Sequence, residues 1–397
     1  MMKGDESYAG AKSFFKFEKA AQDILGFPYV QPTHQGRAAD FIMSQLYAKN
    51  GGYIPGNLHF DSFKGHAELA GSIPVDLIIE EGRTANTIEH PFKGNMDIEK
   101  LQALIDEKGK ENIPLIIMTV TCNGNGGQPV SMANIREVSV IAKKYEIPFM
   151  IDAARFAENS YFIKKREAGY QNKTVKEISL EMFSYADGCV MSSKKDGMVN
   201  IGGFICTRHK ELVPMLNLLA IVNEGFITYG GQSGRDLEAL AIGLDEGTEE
   251  DYLEYRIEQV KYLGDQLHKR GIPIIKPTGG HGVYIDAKKF YPHIPQSEFP
   301  GQALVVELYR TGGVRGVELG SCAFSKKDPD TGEVTFPELD LVRLSISRRV
   351  YTNRHMDVVV NSLADVYERR DEMKGLRIIY EGPILSLRHF TAKFELV

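Results

Sequence analysis

The chain has 397 residues, 43% hydrophobic and 25% charged, the balance of a globular protein with apolar mass enough for two or three domains. A net charge of −6 with no long basic run argues against a nucleic-acid partner. The longest apolar runs, such as 113–120, are far too short to cross a bilayer.

The start, MMKGDESYAG, is polar and acidic and reads as neither a signal nor a transit peptide. Cysteines 122, 189, 206 and 322 are widely spaced, sit mostly in apolar runs and show no metal spacing. They read as reduced and buried, which points to the cytoplasm.

Residues 11–25 have helical character and end at Gly26. The next stretch, FPYVQPTHQGRAADFIMSQL, reads strand, turn, helix, and its turn holds His34, Gln35, Gly36 and Arg37. Backbone N–H groups at the start of the following helix can bind a phosphate, and Gly36 lets the backbone approach closely. A plain turn with a surface arginine fits the same residues. Residues 53–61, YIPGNLHFD, give a strand signal ending in Phe60 and Asp61. An aromatic there belongs to a core as readily as it stacks on a ligand ring.

Apolar runs and helical segments then alternate: 75–79, 97–108, 115–120, 132–145 and 147–151. This is the βα repetition of a mainly parallel sheet. Asn123 and the glycine-rich NGNGGQP follow the strand at 115–120, at the sheet edge where α/β folds bind ligands.

In IPFMIDAARFAE (147–158) the β-run ends in Asp152, followed by Arg155. Asp152 alone fits a helix N-cap. It also fits the carboxylate that pyridoxal phosphate needs opposite its pyridinium nitrogen. The interval from Asp152 to Lys195 leaves room for one helix and one strand.

The segment FSYADGCVMSSKKDGMVNIGGFIC (183–206) places two buried β-runs, 188–191 and 201–206, around the polar turn SSKKD. A lysine held beside a core is desolvated, which lowers its pKa from about 10.4 and makes the amine a usable nucleophile. A solvated hairpin tip with two surface lysines fits this segment equally well when it is taken alone.

Beyond 206 the pattern turns helical, at 208–223, 233–245 and 250–270, with charges at i, i+4 spacing that read as solvated faces. A new unit begins near Gly271: strands at 272–275 and 283–286, a helix at 300–311, a polar loop at 325–338, a strand at 341–347, a helix at 353–369 and a strand pair around 376–395. Arg343 lies in the strand VRLSIS, where an arginine either points outward or clamps a carboxylate bidentately. The expected division is a large domain at 1–250 and a small α+β domain at 251–397.

The lysine segment, with GGQPVSMAN (126–134), FAENSYFIK (156–164) and THQGRAAD (33–40), resembles the β-eliminating aromatic amino-acid lyases, the family of tryptophanase and tyrosine phenol-lyase, over nearly the whole chain. The resemblance implies an α/β, aspartate-aminotransferase-like pyridoxal-phosphate fold of type I, with a seven-stranded mixed sheet and a smaller C-terminal domain. It implies that Lys195, the second lysine of Lys194-Lys195, bears the cofactor. Asp152 would face its ring nitrogen, and Gln35, Gly36, Arg37 and Ser192 its phosphate. Phe60 would stack on the ring, while Asn123 and Arg155 lie near the ring oxygen and the substrate. Arg343 would take the substrate carboxylate, and Tyr8, arriving from a neighbouring subunit, would protonate the leaving group. Homotetramers with sites at the dimer interface, acting on a small amino acid, complete the implication.

Three positions favour the indole-releasing branch over the phenol-releasing one. Leu319 stands where the phenol enzyme has arginine, Asp61 follows the stacking aromatic, and His389, before Phe390 in RHFTAK, replaces a phenylalanine. A generic cysteine-lyase or transaminase reading leaves Asp61 and His389 without a role. Family members carry several dozen residues before the GDESY segment. Those residues give hydroxyl contacts to the substrate carboxylate and one ligand to a potassium ion whose other ligands map to Glu6 and Asn200. Weakened potassium binding is therefore expected, and a cofactor-binding form with little turnover is the alternative.

Overall fold

The computed structural model describes residues 2–6, 8, 10–84, 90–328, 331–382 and 388–397. Two compact units divide the chain: Met1–Ile79, Pro91–Asn123 and Gln128–Tyr255 form the first, and Glu80–His90, Gly124–Gly127 and Arg256–Val397 the second.

The chain opens with α1 (Lys12–Leu25), β1 (Tyr29–Thr33), α2 (Gly36–Tyr47), β2 (Tyr53–Gly56), α3 (Asp61–Leu69) and β3 (Ile73–Asp76). A single turn, α4 (Glu80–Arg83), belongs to the second unit. The first unit resumes with α5 (Ile98–Lys108), β4 (Ile116–Thr119), α6 (Met132–Tyr145), β5 (Phe149–Asp152), α7 (Phe156–Arg166), α8 (Val175–Ser184), β6 (Gly188–Ser192), β7 (Gly203–Thr207), α9 (Val213–Asn223) and α10 (Gly234–Glu246).

Seven strands form one sheet in the order β1-β7-β6-β5-β4-β2-β3. The pairs from β6 through β5, β4 and β2 to β3 are parallel, and β7 is antiparallel to both β6 and β1. Strands covered by helices on both faces read as unbroken apolar runs, and β4, β6 and β7 are buried along almost their whole length. One side of the core joins Ala39, Ile42 and Met43 of α2 to Phe63 and Ala67 of α3 and to Ile117, Met150, Val190 and Ile205 of the sheet.

The helix α11 (Glu250–Lys269) starts in the first unit and runs into the second. There follow β8 (Gly282–Asp286), α12 (Ala287–Phe290), α13 (Pro300–Gly312), β9 (Val317–Leu319), α14 (Ser321–Phe324), β10 (Lys326–Lys327), β11 (Val334–Thr335), β12 (Leu341–Ser345), α15 (Asn353–Glu368), β13 (Leu376–Tyr380), α16 (Arg388–Thr391) and β14 (Lys393–Leu396). The antiparallel sheet β8-β12-β9 packs its apolar side chains with those of α11, α13 and α15. Among the described residues no helix is long and apolar enough to cross a membrane.

Several elements differ from the sequence expectation for physical reasons. The strand expected at 53–61 stops at Gly56 because the buried Asn57 side chain takes over the ladder: Thr119 N donates to its Oδ1 (2.8 Å), and its Nδ2 donates to Thr119 O (3.0 Å). Two helices, not one, separate Asp152 from Lys195, because a Thr174–Glu177 capping box restarts the helix as α8. The strand expected at 272–275 is reduced to a bridge between Ile274 and Ile285, since Pro273 and Pro277 lack the N–H a ladder needs.

The polar loop at 325–338 contains the short β10–β11 pair; its residues 329–330 lie outside the described residues. In the segment 208–223, Lys210–Leu212 form a 3₁₀ turn and Pro214 starts α9. That helix has no charged face. It exposes Met215, Leu218 and Val222, the last at 73%.

Candidate active site

The ends of the strands bring the site together. In the parallel part of the sheet, β5 ends at Asp152 and β6 at Ser192, with Asp152 paired to Val190 and to Thr119 of β4. Because β7 runs antiparallel, its start at Gly203 meets both Ser192 and Thr33, the end of β1. The loop after β1 and the lysine turn after β6 therefore share one edge, where α/β sheets place ligands. A bridge from Gln35 to Gly202 and a 2.8 Å bond from Gly202 N to His34 O fix the two loops to each other. Glu224 accepts from His34 N at 2.7 Å and lies 2.6 Å from His34 Nδ1.

Lys195 is half-buried. Its Nζ donates to Ser192 Oγ at 2.7 Å and lies 5.7 Å from the centre of the Phe60 ring. Burial, reinforced by Arg155, brings its amine down to about 8 against the pull of Asp152. Lys194 is exposed and reaches Gln35 Oε1 at 3.3 Å. The next residue, Asp196, fixes the turn: its Oδ2 accepts from Ala157 N (2.8 Å) and Glu158 N (3.1 Å) in the first turn of α7. Asp152 is pushed up by burial and held back by the Ala154 N–H and by Lys195 and Arg155. Arg155 itself is 7% exposed at the cap of α7, and Asn123 is half-buried beyond β4.

Gly36 is required where it stands. A Cβ there would lie 2.5 Å from Ser192 Cβ and 3.0 Å from its Oγ. Gln35, Gly36, Ser192 and the first turn of α2 thus form a close cradle of main-chain and hydroxyl groups suited to a phosphate. Phe60 caps α3, and Asp61 in its first turn lies 3.9 Å from Arg37 Nη2.

Tyr8 is 59% exposed and stacks on Phe226 and Tyr229, at 5.6 and 5.8 Å between ring centres. Glu6 Oε1 accepts from Tyr8 N at 2.6 Å, Asn200 is exposed, and no hydrogen bond joins these two residues. In the second unit, Arg343 sits in the central strand β12, paired with Tyr284 and Val317. Leu319 packs with Ile275, Tyr284 and Leu341, and the His389 ring lies 3.9 Å from that of Phe390.

One acid escapes the sequence reading. Asp40 of α2 is 7% exposed, accepts a hydrogen bond from Ser62 Oγ, and is pushed up to about 7 by burial and by the facing Asp152. The available signal is its phase: Asp40 shares a helix stripe with the buried Gly36, Ala39 and Met43.

A half-buried amine and a half-buried carboxylate at strand ends, an aromatic ring beside them and a glycine-opened phosphate cradle define a pyridoxal-phosphate-dependent enzyme of fold type I. Solved structures carry the same fold: a serine palmitoyltransferase of Sphingomonas wittichii matches with a TM-score of 0.61 and 14% identity, over 91% of this chain and 78% of that one. A structure of SPT with PLP matches at 0.60 and 14%, over 92% and 80%.

The β-eliminating lyase family model matches residues 1–362, and the chain belongs to that family. The tyrosine phenol-lyase of Symbiobacterium sp. (strain SC-1) is 51% identical, over 100% of this chain and 85% of that protein. A probable β-eliminating lyase of Trichomonas vaginalis is 52% identical over the same shares, and the tryptophanase of Salinibacter ruber 49%, over 99% and 82%.

Proposed function

We propose that the protein eliminates the aromatic group of L-tryptophan, giving indole, pyruvate and ammonia. The observation that carries the lyase chemistry is the place of Lys195 Nζ, 2.7 Å from Ser192 Oγ and 5.7 Å from the Phe60 ring centre, at the sheet edge where β5 ends in Asp152. Bound pyridoxal phosphate supplies an electron-withdrawing ring that stabilises negative charge at the substrate Cα. Gln35, Gly36, Arg37 and Ser192 would hold its phosphate, and Phe60 one ring face. Asp152 would hold the ring nitrogen, with Asn123 and Arg155 near the ring oxygen. Lys194, which reaches Gln35 Oε1, would lie on the phosphate side.

Lys195 Nζ, whose burial makes it far easier to deprotonate than an ordinary lysine, accepts the Cα proton in its neutral form. Arg343 orients the substrate carboxylate as a bidentate fork. The leaving carbon must be protonated before the bond to it breaks, and Tyr8 is the proposed acid. Its 59% exposure and its place against Phe226 and Tyr229 suit a side chain that serves the site of a second copy. The apolar face of α9 (Met215, Leu218, Val222) supports self-assembly, and the reading includes a homotetramer. Four free, buried thiols support a cytoplasmic setting.

Leu319, Asp61 and His389, with Phe390 beside it, support tryptophan. An aliphatic side chain cannot pair with a phenolic oxygen, and Asp61 and His389 offer polar partners for an indole edge. The tyrosine reading is favoured by the phenol-lyase named at 51% identity. For a monovalent cation, the Glu6 carboxylate and the Asn200 carbonyl are oxygen donors of the right hardness but an incomplete shell.

Parallel assays with tryptophan and tyrosine, reading indole, phenol and pyruvate, separate the two substrates. Indole with equimolar pyruvate is expected. Phenol without indole overturns the tryptophan assignment, and no pyruvate from either overturns the aromatic-lyase reading.

A further inference from the structure

Two helices meet at the proposed cofactor cradle, and they are joined at two points. At the surface, Arg37 of α2 faces Asp61 of α3 at 3.9 Å, with both side chains about half exposed. One turn deeper, Ser62 Oγ donates to Asp40 Oδ2 at 2.5 Å, with the residues 6% and 7% exposed. Below that bond the helices pack through Ala39, Ile42 and Met43 against Phe63 and Ala67.

The start of α2 carries Gln35, Gly36 and Arg37, and the cap of α3 is Phe60. The Asp40–Ser62 bond thus lies within one helical turn of both the phosphate cradle and the ring-face aromatic. Apolar packing tolerates sliding along a helix, whereas a buried carboxylate with a single hydroxyl partner does not, because any slip leaves it unpaired. Burying an acid here carries an electrostatic penalty. Asp152 faces Asp40 from β5 and Asp61 from α3, opposed by the Ser62 hydrogen bond and by Lys195 of the lysine turn. A position that places an acid among acids, where an apolar residue would satisfy the core, needs a reason beyond packing.

We propose that Asp40 and Ser62 form a buried clasp that sets the spacing between the phosphate cradle of α2 and Phe60 of α3, and so positions both for pyridoxal phosphate. Both are positioning residues. The proposal rests on the cofactor reading above.

The test is a titration of apoprotein with pyridoxal phosphate, following the absorbance of the bound cofactor, alongside the thermal unfolding of each apoprotein. Ser62→Ala and Asp40→Ala are each expected to weaken binding about tenfold. The double variant should be no weaker than either single one, because both remove the same bond. Ser62→Thr, which keeps the hydroxyl, should restore binding to within about twofold.

A Ser62→Ala protein that binds as tightly as the parent overturns the clasp. Losses that multiply in the double variant also overturn it, as does a lower unfolding temperature with unchanged affinity. If Asp40→Ala does not fold, the contrast between Ser62→Ala and Ser62→Thr decides alone. A parent protein that binds no pyridoxal phosphate overturns the cofactor reading instead.

Discussion

Buried charge is handled differently in the two units. At the end of the seven-stranded sheet, charged side chains face one another: Lys195 is opposed by Asp152 and Asp40, with Arg155 alongside. In the second unit two buried charges, Glu318 and Arg388, are met largely by the main chain. Glu318 Oε1 and Oε2 accept from Cys322 N (2.8 Å) and Ala323 N (3.0 Å). Arg388 donates to Ser321 O at 2.9 Å, to Cys322 O at 3.1 Å and to Ser325 Oγ. A charge absorbed by backbone shapes a segment. A charge that faces other charged side chains at strand ends is a candidate for chemistry.

The sharpest break of this contrast is a pair of substitutions expected to act with opposite sign. Arg388→Met removes its bonds to the Ser321 and Cys322 carbonyls and to Ser325 Oγ and should lower stability by about 2–4 kcal/mol in urea unfolding at pH 7. Lys195→Met should instead raise the stability of the apoprotein, by about 1–3 kcal/mol. The sign follows from proton binding. The folded lysine releases its proton near 8, whereas an unfolded one does so near 10.5. Between those values the unfolded state holds more protons, so parent stability climbs with pH across that window. Below 8 the penalty is full, and the variant should show neither the penalty nor the climb. A destabilised Lys195→Met apoprotein would place Lys195 with the structural charges.

A smaller effect sharpens the division of labour. If the second unit selects the leaving group while the first performs the elimination, Leu319→Arg should shift the tryptophan-to-tyrosine ratio of kcat/KM about tenfold toward tyrosine. Pyruvate formation from an S-alkyl cysteine should stay nearly unchanged. An equal loss on all three substrates would mean that Leu319 supports the chemistry rather than the choice.

What the sequence disclosed follows the same line. Strands covered on both faces are readable as short apolar runs, so the order leading to Asp152 and the lysine turn emerges without coordinates. Asp152 is readable because it sits where a buried run ends, whereas the choice of Lys195 within the lysine turn comes from the family resemblance alone. Asp40 is not readable, because one acid in an amphipathic helix looks like a solvated face until its neighbours in space are known. Asn57 ends a strand through its side chain, which no run of β-formers announces. The bare apolar face of α9 hides behind ordinary helical periodicity. The proposed choice of indole over phenol is read from three single positions, Leu319, Asp61 and His389, and relatives of both kinds lie near 50% identity.

The central claim is that Lys195, rather than its neighbour Lys194, carries the cofactor. Protein loaded with pyridoxal phosphate is reduced with borohydride, digested and mapped by mass spectrometry, which makes the lysine linkage permanent and locates it. The account predicts one phosphopyridoxyl group on Lys195 and an unmodified Lys194. The label on Lys194, or spread over several surface lysines, would contradict it.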